Sequence, residues 1–294
     1  MSYEDKFDAS LDLLNRLDPK LISKNLTDIC TLIQNGDSPD QEELVQDLLS
    51  SVDTPLKVSK CDDTGKQFLC CDYNRDGDSY RSPWSNKYVP AISASDEDDI
   101  PPPYPSNILR QLEQKANESF DVYRDLYYEG GGISSVYLWD TAEEEDTLES
   151  GFAGVVLFKK ETDDGTGKWD SIHVFEVIPE SASSALYKVT TSVILDLQNS
   201  KRSSLSLSGN LTRQLESSLS IDIDGAVNLE TNHLINLGTL VEKAEYNIRN
   251  SLQEVYFDKL KDIMLKDLRS LGDISNKKMD DMKHSEVLKG LQGL

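Results

Sequence analysis

The 294-residue sequence predicts an α+β fold: three short helices, a five-stranded antiparallel sheet, a long covering helix and an amphipathic C-terminal tail. Three observations predict it. Apolar residues recur at helical spacing through residues 4–53. The period changes to two across five segments between residues 134 and 211. It returns to the helical value over residues 240–271. With 37% hydrophobic residues, 12 Tyr, 7 Phe and 3 Trp, the chain can bury a sizeable core.

Each element follows from local pattern. Leu11, Leu14 and Leu17 share a helical face, and Pro19 ends the run. Leu21, Ile22, Leu26, Ile29, Leu32 and Ile33 form a second stripe, closed near Asn35-Gly36. Pro39 precedes a third, with Leu44, Val45, Leu48, Leu49 and Val52 turned inward. Three short helices with short turns make a stalk or hairpin bundle over residues 1–55. Residues 56–128 read as an irregular segment carrying an acidic, proline-rich loop at 93–105 and one helix at 106–128. That helix places Leu109, Leu112, Ala116, Phe120, Tyr123 and Tyr127 on one face and ends before Gly130-Gly131-Gly132.

The sheet is assigned to residues 129–215. Val136 and Leu138 alternate with Ser135, Tyr137 and Trp139. Residues 151–160, 169–178, 187–197 and 205–211 follow as strands with mostly short connections, the pattern of an antiparallel meander. The six acids within residues 140–149 mark a solvated insertion. Residues 216–271 hold a connection and a helix of about 30 residues, roughly 45 Å long, whose stripe includes Val241, Ala244, Ile248, Leu252 and Val255. Such a helix covers one face of the sheet. After Gly272, residues 272–294 repeat an amphipathic pattern through Met279, Met282, Val287, Leu288, Leu291 and Leu294. From pattern alone this tail either folds back on the body or docks in a partner's groove.

Charge excludes several functions. With 30 Lys and Arg against 53 Asp and Glu, the net charge is −23, and the body repels nucleic acid and anionic membranes. The segment Val241–Leu294 holds ten basic and ten acidic residues, so the whole imbalance lies before it. No apolar run reaches the length of a transmembrane segment, and the N-terminus lacks a signal peptide. The reading is therefore cytoplasmic, with Cys30, Cys61, Cys70 and Cys71 as reduced thiols. The run Asp72–Gly77 copies the start of a calcium loop, but Pro83 stands where the bidentate Glu belongs, so it reads as a turn. Ser171 and His173 lie two apart on a strand, roughly 6.5–7 Å along the chain, too far for a nucleophile and its base. His233 and His284 complete no metal set. No catalytic constellation and no cofactor site emerges, which favours a binding protein.

Longer stretches then become recognisable. Residues 72–86 (DYNRDGDSYRSPWSN) closely resemble the most characteristic stretch of the beta subunit of F-actin-capping protein. Residues 119–131 (SFDVYRDLYYEGG) resemble a second. Residues 134–140 (SSVYLWD), 151–160 (GFAGVVLFKK), 169–177 and 211–214 continue in the family's order, and residues 9–14 and 47–53 also fit. The segments 93–103 and 141–149 look like local additions. The resemblance implies an obligate heterodimer with a capping protein alpha subunit, in which two half-sheets join into one and each subunit gives a three-helix stalk. It implies calcium-independent, non-enzymatic capping of actin filament barbed ends by steric occlusion, in cortical actin structures. It implies a mobile C-terminal arm that enters a hydrophobic cleft on actin; Leu288 is the first anchor, with Val287 and Leu291 next. Regulators carrying capping-protein-interaction motifs would meet Arg16 and Tyr88, and phosphoinositides Lys277, Lys278, Lys283 and Lys289. Residues 72–84 would be structural glue. The rival reading is a structural subunit on an actin-related filament of a motor-adaptor complex.

Overall fold

The computed structural model describes residues 2–36, 39–92, 104–141, 148, 151–181, 183–198, 206–221, 228–256, 269, 274–275, 278–279, 281–283 and 285. The expected acidic loop at 93–103, most of the 141–149 insertion and the end of the tail lie outside the described residues.

Three helices open the chain: α1 (Tyr3–Asn15), α2 (Ile22–Gln34) and α3 (Gln41–Ser51). A capping box starts α1, with the Ser2 hydroxyl accepting from the Asp5 amide and the Asp5 carboxylate from the Ser2 amide. Leu14, Leu26, Ile29, Leu44, Val45 and Leu48 bury one shared core, worth about 1.5–3 kcal/mol per side chain. Outside it, Leu13, Leu17, Leu21, Leu32 and Leu49 stay exposed, Leu32 by 68%. The single 3-10 turn Pro19–Leu21 between α1 and α2 approaches the far edge of the sheet described below.

Residues 56–92, read as irregular, carry five short strands. β1 (Lys57–Lys60) and β2 (Gln67–Cys70) form a hairpin; β3 (Arg75–Asp76), β4 (Ser79–Arg81) and β5 (Tyr88–Val89) form a second small sheet. Strands of two to four residues are too short to display a period of two. Helix α4 (Asn107–Tyr127) follows, capped by the Ser106 hydroxyl.

The main sheet matches the expected meander. β6 (Ile133–Asp140), β7 (Phe152–Glu161), β8 (Gly167–Ser181), β9 (Ser184–Gln198) and β10 (Ser206–Ser220) lie side by side in chain order, each antiparallel to the next. Close approach fixes Gly154 in β7: an added Cβ would meet Leu138 at 2.5 Å and Phe175 at 2.6 Å. One face packs Val156, Phe158, Trp169, Phe175 and Val193 under α4 and α5 (Leu229–Tyr256). The other face holds a smaller core of Leu56, Leu69, Tyr137, Val155, Leu157 and Ile172 beneath the β1–β2 hairpin. The Leu69 amide donates to Ser135, the Tyr137 hydroxyl donates to the Leu69 carbonyl, and the Leu56 amide donates to Asp170.

Helix α5 begins at Leu229, well before the stripe that starts near Val241. The Asn228 side chain caps it through the Thr231 amide, and Leu237 and Leu240 are already buried. Asn232, Asn236 and Gly238, weak helix formers, obscure this first half in the sequence. Burial against the sheet overrides their propensity.

Candidate functional site: an open sheet edge and the root of the tail

The two edges of the sheet end differently. Edge strand β6 is closed from within the chain. On α4, Asn117 faces it with both ends of its amide: Oδ1 accepts from the Val136 amide and Nδ2 donates to the Val136 carbonyl, each at 2.9 Å. One turn earlier, the Glu113 carboxylate accepts from the Leu138 amide at 2.8 Å. Glu113 is held in turn by a bidentate pair with buried Arg81, both contacts 2.8 Å, and by Arg110. Arg81 also donates to Asn86, and its carbonyl accepts from Asn74. The stretch 72–86 thus acts as a keystone that locks α4 across one sheet edge. The run that resembles a calcium loop is a 3-10 turn tied to Leu69, Cys71 and Arg81 through Asn74. Among the described residues, no group of three or more His, Cys, Asp or Glu could hold a metal ion.

β10 has no such cover among the described residues. Among the described residues its strand partner is β9 alone, over 15 paired positions. Half the backbone groups of an edge strand point away from its neighbour, a template for another chain. Leu207, Leu211, Leu215 and Leu219 sit half-buried on the helix side. Asn210, Thr212, Gln214, Glu216 and Ser218 are exposed on the other, and Arg213, on the leucine side, is exposed too. The 3-10 turn that carries exposed Leu21 approaches this same edge.

The second feature lies where the chain leaves the body. Glu245 of α5 is fully buried within a polar cluster. Tyr128 donates to its Oε1 at 2.6 Å, His173 Nε2 lies 3.2 Å from the same oxygen, and Arg269 Nε donates to Oε2 at 2.6 Å. Arg269 also reaches Glu242 at 2.6 Å and the Tyr123 hydroxyl at 2.9 Å, and stacks over the Tyr127 ring at 4.7 Å. Burial alone would push the Glu245 carboxyl up; the Arg269 guanidinium, with His173 and Tyr128, holds it well below the usual carboxylate range. Burial pushes the Tyr123 and Tyr128 hydroxyls upward, and Glu245 adds to it. Farther on, the Ile274 amide donates to the Leu126 carbonyl at 3.1 Å, and Lys278 Nζ to the Asp125 carbonyl at 2.8 Å. Met279 and Met282 are exposed.

The anticipated site residues fall unevenly on this frame. Val287, Leu288 and Leu291, with Lys277 and Lys289, lie outside the described residues. Lys278 and Lys283 are exposed on the tail root. Arg16 is exposed at the end of α1. Tyr88 is only 6% exposed, with its ring edge-to-face against Tyr104, so it packs rather than presenting itself to a partner. Nothing described brings Arg16 and Tyr88 together. Ser171 and His173 are structural: Trp169 donates to the Ser171 hydroxyl, and His173 contacts Thr191 and Glu245. Sequence reasoning misses Asn117, Glu113 and Glu245. The available signal is a polar residue at an inward position of an apolar helical stripe. Among the described residues, no helix is long and apolar enough to cross a membrane.

Comparison with known proteins is specific. The family model for F-actin capping protein, beta subunit, matches residues 7–264. The F-actin-capping protein subunit beta of Debaryomyces hansenii is 72% identical, over 100% of this chain and 99% of its own length. That of Saccharomyces cerevisiae is 50% identical over 98% and 99%. A solved homodimeric actin capping protein alpha subunit from Plasmodium berghei gives a TM-score of 0.46 at 14% identity over 97% of each chain, too slight a likeness to carry an argument. On the strength of the family model and the near full-length identities, this chain belongs to the F-actin capping protein beta subunit family.

Proposed function

We propose that this chain is one half of a heterodimer that caps actin filament barbed ends, with a capping protein alpha subunit as its partner. The observation that carries the reading is the contrast between edges: α4 closes β6, while among the described residues the 15-residue strand β10 lies open near the stalk turn that carries exposed Leu21. An unpaired edge of that length is an aggregation hazard unless another chain completes it. Pairing there would extend the sheet across two subunits, and Leu13, Leu17 and Leu21 would be covered with it. The units 1–55, 56–128, 129–215, 216–271 and 272–294 then serve as stalk, keystone, half-sheet, cover and actin-binding arm.

Capping on this reading is steric. No bond is made or broken and no cofactor takes part. The paired body would occlude the terminal actin subunits, and Val287, Leu288 and Leu291 would anchor the arm. Burying those three side chains yields about 4.5–9 kcal/mol gross, while ordering any ten residues from a fully disordered start costs at least about 10 kcal/mol. The arm alone therefore binds weakly; tight capping needs the rigid face and the arm together, where linkage raises effective concentration. Regulators would meet the stalk near Arg16, and phosphoinositides the lysines at 277, 278, 283 and 289. The setting is the cytoplasmic actin cytoskeleton, in cortical structures.

The test is elongation of pyrene-actin from filament seeds in the presence of the co-purified heterodimer. The wild-type pair should stop barbed-end growth, and Leu288→Asp should speed release while leaving the pair intact. Unhindered elongation would refute the reading; binding to an actin-related filament but not to actin would move it to a motor-adaptor subunit.

A further inference from the structure

We propose that Arg269 is a positioning residue: it latches the root of the C-terminal arm into the body, so that the segment carrying Leu288 departs from a fixed point. The proposal rests on the reading of the arm as a filament anchor. Arg269 follows α5 in sequence and is fully buried against it. Its guanidinium is satisfied by Glu245, Glu242 and Tyr123 and lies over Tyr127, while its own carbonyl accepts from Arg249 Nε at 2.9 Å. Only an arginine fork can meet a carboxylate on each side and a ring beneath at once. A core that needed merely to be filled would use an apolar side chain at less desolvation cost. Two lighter stitches follow, Ile274 to the Leu126 carbonyl and Lys278 to the Asp125 carbonyl. Ile274 is buried, but Met279, Asp281, Met282, Lys283 and Ser285 are exposed.

The consequence is one of reach. Arg269 stands 19 positions before Leu288 in the sequence. Effective concentration falls as a tether lengthens, so releasing a fixed point at the root weakens the arm's contribution.

The experiment measures release rates from capped filament ends for four heterodimers: wild type, the latch variant Glu245→Gln/Arg269→Met, Leu288→Asp, and the two combined. The paired latch change removes both charges, so neither is left buried alone, and the new glutamine amide still offers an oxygen to Tyr128 and His173. The expected result is several-fold faster release with the native arm and no further change on the Leu288→Asp background. Equal acceleration on both backgrounds, or none with the arm intact, overturns the latch. If Leu288→Asp is itself silent, the anchor reading falls first and takes the latch with it. Arg269→Lys keeps the charge without the fork and carries the same four-way test should the paired variant fail to assemble; its expected acceleration is smaller. Hydrogen exchange gives an independent readout. The Ile274 amide should be protected in the wild-type heterodimer and lose protection in either latch variant, and an unprotected wild-type amide overturns the proposal.

Discussion

The two edges of the sheet solve the same physical problem in opposite ways. At β6 the backbone groups of Val136 and Leu138 meet Asn117 and Glu113 of the chain's own helix α4. At β10 no helix of the described residues lies across the edge in this way; only isolated contacts reach its backbone, from Asn236 to the Ser220 carbonyl and from Arg213 to that of Thr212. The difference teaches that the fold is finished on one side and, among the described residues, open on the other, where the proposed partner would complete it. The stretch that most strongly marks the family, residues 72–86, belongs to the finished side: Arg81 pairs with Glu113, and Asn86 and Asn74 fix Arg81. A sequence can thus advertise its identity through residues that brace its own fold.

The comparison can be broken most forcefully at the open edge. Replacing Leu211 and Leu215 together by Lys should abolish co-purification with a capping protein alpha subunit, read by size exclusion; an intact pair would remove β10 from the interface. Next comes the closed edge. Glu113→Ala strands the buried Arg81 guanidinium and the Leu138 amide, and should cost about 3–5 kcal/mol in denaturant unfolding, while any heterodimer that still folds should release from filament ends at the wild-type rate. A third change lies between the edges, on the buried side of α5. His233 is buried with Nδ1 2.8 Å from the Tyr187 hydroxyl, and burial lowers its pKa to about 4. The unfolded chain then binds a proton that the folded chain refuses. Stability from this group is full above the unfolded value near 6.5 and falls as pH drops toward 4, by about 3 kcal/mol at most. His233→Gln should flatten that part of the stability profile, and an unchanged slope would reject the assignment. The smallest effect sharpens the contrast. Arg213 on β10 is exposed, and its guanidinium donates to the neighbouring Thr212 carbonyl. Arg213→Ala should shift the unfolding of the chain by no more than about 0.5 kcal/mol, so any larger loss in the heterodimer measures pairing across the edge.

Much of the frame is legible because its elements are long. The five main strands run from 8 to 15 residues and α4 spans 21, enough for a period to declare itself. The five strands in residues 57–89 are two to four residues long, and their existence depends on contacts with β6 and α4 that no local pattern encodes. Half of α5 is hidden by Asn232, Asn236 and Gly238. The site is less legible still. Glu113, Asn117 and Glu245 each interrupt an apolar stripe, and that interruption is the visible signal. Its meaning, a strand edge in two cases and an arginine latch in the third, needs residues far away in sequence. The anchors Val287, Leu288 and Leu291 come from family resemblance alone and lie outside the described residues.

The central claim is that β10 is the seam between subunits. Amide hydrogen exchange on the heterodimer with a capping protein alpha subunit tests it most directly. The account expects the amides of residues 206–220 to be protected as strongly as those of β9, like an interior strand. Rapid exchange along β10 beside a protected β9 would mean that the edge stays open in the pair, and would contradict the account.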